Sequence, residues 1–191
     1  NDKAVGIYSA ATRISEVWYF YSKAISSSVS PSIYKAKEIS ETLYYQKIVN
    51  LNRLLILTSI FVAIPMTFVS RDIINLLFGN EYIEAGNILA IHIWASLFVC
   101  MGVATSPWFI AERLTHLSMY RTLMGAIINV VLNFFLIPKY AGIGAAIATI
   151  VAQATASFLI HATHQKTRKY FISKLNLSCL FNCSIWQDTS L

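Results

Sequence analysis

Charge is what this sequence has least of. Only 13% of its 191 residues are charged, while 56% are hydrophobic, against about 25% and about 45–50% in an ordinary soluble domain. That balance argues against a water-soluble helical globule. Also missing is any run of alternating apolar and polar residues of the kind that builds a membrane barrel, so strands are not expected to carry the apolar surface. There is no HExxH, no glycine-rich phosphate loop, no carboxylate pair in a plausible aqueous site, and no nucleophile with a base at usable spacing. Enzymatic chemistry, a metal site and a cofactor are therefore not expected. Cysteine is scarce: Cys100 stands in an apolar run, and Cys179 and Cys183 have no histidine nearby to complete a metal site. No secretory signal opens the chain, which starts at Asn1 and enters an apolar segment at once; it is expected to be the C-terminal part of something longer.

What is present is hydrophobicity gathered into blocks. Residues 88–111 form a run of 24 with one histidine and no formal charge, and 141–160 a run of 20 with none. Each has the roughly 20 residues that cross about 30 Å of hydrocarbon at about 1.5 Å per residue. Five spans are expected, over 5–34, 50–70, 86–110, 121–138 and 141–162. All are helical, because in lipid each backbone amide must find its partner within its own segment. The fold class is thus an all-α polytopic bundle, with 1–168 as the transmembrane unit and 169–191 as a tail. Between spans two and three, 71–85 is too short and too charged to cross and is expected to lie in the interface.

Lysine and arginine set the orientation. Lys35, Lys37, Lys47, Arg53, Arg113, Arg121, Lys166, Arg168, Lys169 and Lys174 fall on one side, which is 10 of the 15 basic residues. That side, the tail included, is expected to be cytoplasmic. The net charge of +6 follows from this asymmetry, so the expected partners are anionic lipid headgroups and not nucleic acid.

Polar side chains inside the spans are the candidate functional groups. On a helix Arg13, Glu16 and Lys23 share a side with Ser9, Ser27, Ser30 and Tyr34. A charge at membrane depth costs about 2.5–3.5 kcal/mol on insertion scales, so such a stripe faces water, a partner or a substrate path. Two readings stand: Arg13 contacts an anionic solute with Glu16 and Lys23 in support, or Arg13 and Glu16 neutralise each other while Lys23 snorkels. In span four, Thr122, Gly125, Asn129 and Asn133 line one stripe, where the amides either meet cargo or fasten the bundle. Gly144, Ala148, Ala152 and Ala156 recur every four residues, a ladder that admits another backbone, with Thr149 and Gln153 beside it. Pro65 is either a hinge or a fixed bend. His92 is either a proton-coupling group or an interior hydrogen-bonded residue.

Three stretches carry a family resemblance: Ala4-VGIYSAATRISEVWYF-Tyr21, Leu77-FGNEYIEAGNILAIHIWA-Ser96 and Tyr120-RTLMGAIINVVLNFFLIPKYAGIGAAIATIVAQ-Ala154. Together they resemble the C-terminal half of bacterial polysaccharide flippases, within the multidrug, oligosaccharidyl-lipid and polysaccharide exporter superfamily. The likeness runs from Ala4 to about Arg168 and fades after Ser173. It implies one of two pseudo-symmetric bundles that alternately open a central cavity, with the N-terminal transmembrane half as a missing partner. The implied cargo is an undecaprenyl-diphosphate-linked O-antigen or related oligosaccharide in the bacterial inner membrane. Arg13, Glu16, Lys23, Asn129 and Asn133 are then the candidate substrate contacts. A drug exporter of the same superfamily would want an anionic cavity, and a membrane-embedded polymerase or transferase would want a large outer loop, which is not present.

Overall fold

The computed structural model describes residues 2–163, so the tail from 169 onward and the basic residues Lys166, Arg168, Lys169 and Lys174, with Cys179 and Cys183, lie outside the described residues. Within them the chain is helical and holds no strand. Helix α1 is Asp2–Ile39, α2 Glu41–Phe78, α3 Glu84–His92, α4 Ala95–Ala111 and α5 Thr115–Thr163, with one 3-10 turn at Asn80–Tyr82.

Three segments are long and apolar enough to cross a membrane: α2, the α3–α4 pair over Glu84–Ala111, and Thr115–Phe158 of α5. The third is a folded pair. At Ala141 the backbone leaves the helix with φ 47° and ψ −128°, a conformation that costs a non-glycine residue about 1–3 kcal/mol. Contacts on either side then pair symmetrically: Leu136 with Gly144, Gly125 with Ala156, and Asn129 with Thr149. α5 is therefore an antiparallel hairpin of two limbs, 115–140 and 142–163, turning at the junction of the spans expected over 121–138 and 141–162. The five expected spans correspond to α1, α2, α3–α4 and these two limbs. α1 is long enough but too polar to qualify by composition alone.

The spans differ from expectation at their ends. α2 runs on through Phe78, eight residues past the expected stop, so Arg71 and Asp72 belong to its last turns and only the short 3-10 turn separates it from α3. Pro65 sits inside α2, which continues as helix on both sides of it. Many large apolar side chains point outward: Phe61, Phe68, Leu76 and Phe134 are 76–84% exposed, a surface suited to acyl chains and not to water.

Two apolar clusters hold the bundle. At one end Ile33 and Ala36 of α1 pack with Tyr44, Ile48, Leu51 and Leu55 of α2 and with Ala104, Trp108 and Phe109 of α4. At the other, Ile7, Ala10 and Ala11 meet Ile74, Ala85, Ile88, Leu89 and Ala146. A polar seam joins them along α1. Ser15 Oγ lies 2.8 Å from His92 Nδ1, Ser22 Oγ lies 2.8 Å from Cys100 Sγ, and Ser26 Oγ donates to the Val103 carbonyl at 3.3 Å. Small side chains at 11, 15, 22 and 26 recur at spacings of four and seven, which lets α3 and α4 approach closely while each hydroxyl finds a partner. His92 is 3% exposed and meets Tyr8 edge-on at 6.2 Å; its surroundings are those of an interior hydrogen-bonded histidine.

Removing the Ser15 hydroxyl leaves a ring nitrogen buried without that partner, a loss of about 2 kcal/mol. Ser15→Ala is expected to lower the midpoint of thermal unfolding in detergent by about 4–8 °C for a chain of this size. An unchanged midpoint would show that the seam contributes nothing.

Candidate functional site

Between α1, α4 and both limbs of α5 lies a cavity of about 680 Å³. Its walls follow from the seam. Ser22 is buried against Cys100, so the next residue, about 100° further round the helix, is turned toward the hairpin. That residue is Lys23, which lines the cavity and is exposed. Across from it the first limb contributes Arg121 and Asn129, and the second contributes Thr149 and Gln153.

Arg121 is held from one side. Its Nη1 donates to the Gly102 carbonyl at 3.2 Å, and the guanidinium stands over the Phe109 ring at 5.5 Å from its centroid. The guanidinium lies close over Gly102, where a Cβ would meet Nη2 at 3.5 Å, an ordinary contact distance. Among the described residues that one carbonyl is its only hydrogen-bond partner, so most of the five N–H donors of the fork are left for the cavity. No carboxylate stands among the lining residues. Two cations in a cleft with low-dielectric walls concentrate positive potential, and an arginine fork is the geometry that takes phosphate oxygens in pairs.

The amides are bonded to each other and across the hairpin. Asn129 Nδ2 donates to Thr149 Oγ1 at 3.3 Å, and Asn133 Nδ2 donates to Asn129 Oδ1 at 2.9 Å. The Asn133 Oδ1 atom is buried with no partner among the described residues. The bond from Asn129 to Thr149 ties the two limbs together, and Asn129 also faces the cavity while Asn133 does not line it.

Of the five candidate substrate contacts, the structure thus brings Lys23 and Asn129 to one cavity. Arg13 and Glu16 are elsewhere, exposed on α1. They form no ion pair with each other; among the described residues the Lys37–Glu112 bridge at 2.8 Å is the sole one. Arg121 was missed because its position between two spans reads as a topological charge. A signal for it exists, since 121, 125, 129 and 133 step by four and place Arg121 on the stripe of the two asparagines.

The lysine bridge marks one end of the bundle. Lys37 at the close of α1 meets Glu112 beyond α4, and Tyr44 Oη donates to the same carboxylate at 3.3 Å. Lys35 and Arg113 lie near these helix ends in the chain, with Lys47 and Arg53 further into α2, while Tyr82 approaches Gly6 and Ile88 approaches Gly142 at the opposite end. Of the basic residues expected on one side, Lys37 is fixed at this end by its ion pair, Arg121 lines the cavity, and the four of the tail lie outside the described residues.

Comparison with known proteins gives the same direction. The model of the family described as "Lipid II flippase MurJ" matches residues 13–185, further into the tail than the resemblance read from the sequence. The chain is 26% identical over 156 residues to the "Capsular polysaccharide biosynthesis protein CapF" of Staphylococcus aureus, covering 80% of this chain and 39% of that protein. It is 24% identical to the "Probable low-salt glycan biosynthesis flippase Agl15" of Haloferax volcanii, covering 81% and 33%, and 32% identical to the "Probable flippase AglR" of the same organism, again covering 81% and 33%. The chain spans between a third and two fifths of the length of these curated relatives. No solved structure matches it significantly.

Proposed function

Because this chain belongs to the MurJ family of lipid II flippases, we propose that the protein carries a lipid-linked oligosaccharide across the membrane, and that the cavity of Lys23 and Arg121 takes the phosphate-bearing part of that cargo. The reading is one of transport and not of catalysis, in keeping with the family. The observation that carries it is the pairing of two cations, one of them an arginine fork with free donors, in a cavity of about 680 Å³ that no acid lines. A diphosphate supplies the complementary charge, and the Asn129 and Gln153 amides beside it suit sugar hydroxyls.

In its finer form the cargo is an undecaprenyl-diphosphate-linked O-antigen or related polysaccharide unit, moved across the bacterial inner membrane by a multi-pass protein whose C-terminus is cytoplasmic. A transmembrane unit of 1–168 works with an N-terminal half that closes the cavity from the other side. The outward charges of α1 fit this arrangement: Arg13 and Glu16 would cost several kcal/mol against acyl chains, and a facing bundle with water between gives them an environment. Under this reading Arg13 is an approach contact for the anion, with Glu16 tuning it, while Lys23 and Arg121 hold the diphosphate. The names of the relatives, a capsular polysaccharide protein and a glycan biosynthesis flippase, support a glycan in place of an organic cation, which the two cavity cations would repel.

The test is complementation of a flippase-null strain by the full-length protein, scoring which lipid-linked oligosaccharide reaches the far side. Restored surface glycan is expected with the wild type. With Arg13→Ala it is expected to fall by about 10- to 100-fold at unchanged membrane level, the loss of one charged contact. Full restoration by that variant removes Arg13 as a contact, and no restoration by the wild type removes the glycan reading.

A further inference from the structure

A second cationic site lies away from the cargo cavity, where α1 and α2 diverge near their shared turn. Two adjoining clefts meet there, of about 490 and about 510 Å³, and both are lined by Ser32 and Lys47. The first is edged by Lys35 and the second by Arg53. No acidic residue lines either. Their lining is of two kinds. Lys35 and Lys47 stand nearest the α1–α2 turn, Arg53 lies further along α2 beside Leu51 and Leu54, and Val29, Leu51, Leu54 and Leu57 line the second cleft as an apolar trough. Leu54 and Leu57 are 46% and 52% exposed, so the trough is open sideways to whatever surrounds the bundle.

Lys47 is set in place and does not trail in solvent. It is half-buried, and its Nζ donates to Ser32 Oγ, which fixes the ammonium at the junction of the clefts with two donors left over. Lysine and arginine at helix ends ordinarily snorkel outward along their own stems; a lysine tied across to the neighbouring helix instead presents its charge to a ligand lying between the two.

We propose that this groove binds an anionic phospholipid of the surrounding bilayer, its phosphodiester among Lys35, Lys47 and Arg53 and an acyl chain along Leu51, Leu54 and Leu57. The match is one of charge and of apolar lining together. Three cations meet a headgroup of one negative charge where α2 passes from its basic stretch into its apolar one, and the leucine trough lies against them. A soluble phosphate would leave the trough empty. A cationic or zwitterionic lipid would leave the excess positive charge unanswered. A site on the α1–α2 pair, which carries both end clusters of the core, makes the lipid a strut for the bundle and does not involve the cargo cavity.

Native mass spectrometry of the full-length protein released from micelles reads this directly, with phosphatidylglycerol as the probe. The wild type is expected to retain one phosphatidylglycerol more tightly than phosphatidylcholine. The double variant Lys47→Gln, Arg53→Gln is expected to weaken that retention by about 30-fold, which is about 1 kcal/mol for each cation at a membrane surface. Leu54→Trp, which fills the trough and leaves every charge, is expected to weaken it as well. Arg113→Gln removes a charge from the same end outside the groove and is expected to change nothing. An equal loss in Arg113→Gln would show diffuse attraction in place of a site. Competition by glycerophosphoglycerol without acyl chains would show a phosphate site, and displacement by an undecaprenyl diphosphate would show a second cargo site; each of these three results overturns the proposal.

Discussion

Replacing Lys23 and Arg121 together by glutamine is expected to lower translocation of a lipid-linked oligosaccharide in proteoliposomes by two to four orders of magnitude, with the amount of protein in the membrane unchanged. Each cation is expected to make a charge-assisted contact of about 1.5–3 kcal/mol with the cargo's phosphates, and every 1.4 kcal/mol is about tenfold. The two variants are not equivalent alone. Lys23 is exposed and makes no hydrogen bond among the described residues, so Lys23→Gln removes charge and little else. Arg121 lies on Phe109 and bonds Gly102, so its removal also disturbs α4 against the hairpin. Arg121→Lys separates the two effects: it keeps a cation but cannot present two parallel donors. If the fork matters, Arg121→Lys is expected to transport at least tenfold more slowly than the wild type while melting at a similar temperature. Unimpaired flipping by the double variant would detach this cavity from the cargo altogether.

Much of the fold could be read from the sequence because the membrane leaves few choices. Apolar runs of sufficient length must be helices, and the two longest became the α3–α4 pair and the second limb of α5. The turn in α5 falls between the spans expected over 121–138 and 141–162. Less visible was which face of α1 the bundle uses. The stripe of Arg13, Glu16 and Lys23 stands out because charge is conspicuous, yet the residues that bond to α3 and α4 are Ser15, Ser22 and Ser26. Their signal was there in small residues at spacings of four and seven. Serine gives weak hydropathy contrast, so a periodicity scan for charges passes over it. Arg121 was hidden for the opposite reason. A cation at a span boundary already has an explanation in the orientation rule, and its inward contacts, to the Gly102 carbonyl and the Phe109 ring, are tertiary. The amides show a third case, since hydrogen bonds across a hairpin and contacts to a ligand call for the same residue at the same spacing.

Among the described glycines Gly144 has the nearest main-chain neighbour, and Gly144→Ala is expected to be the most destabilising glycine-to-alanine substitution. A Cβ at that position would lie 2.5 Å from the Leu136 carbonyl oxygen and 2.7 Å from its carbonyl carbon, where ordinary contact begins near 3.4 Å. Backbone cannot rotate away as the end of a side chain can, so the two limbs of α5 must part. Parting them lengthens the 3.3 Å bond from Asn129 to Thr149 and opens the Gly125–Ala156 crossing, where a Cβ would already stand 3.0 Å from its neighbour. Overpacking of this kind costs about 3 kcal/mol, which is about 6–12 °C in the unfolding midpoint for a chain of this length. The cavity loses its shape at the same time, since Asn129, Thr149 and Gln153 all stand on the limbs that move. Gly6→Ala is the control, because its Cβ would meet nothing nearer than the Tyr82 ring at 3.9 Å, and it is expected to melt within about 1 °C of the wild type. Truncating Leu136 to alanine in the Gly144→Ala background is expected to restore nothing, as the obstruction is main chain. Recovery of the midpoint in that double variant, or a Gly144→Ala protein as stable as the Gly6→Ala control, would show that the limbs are not packed backbone to backbone.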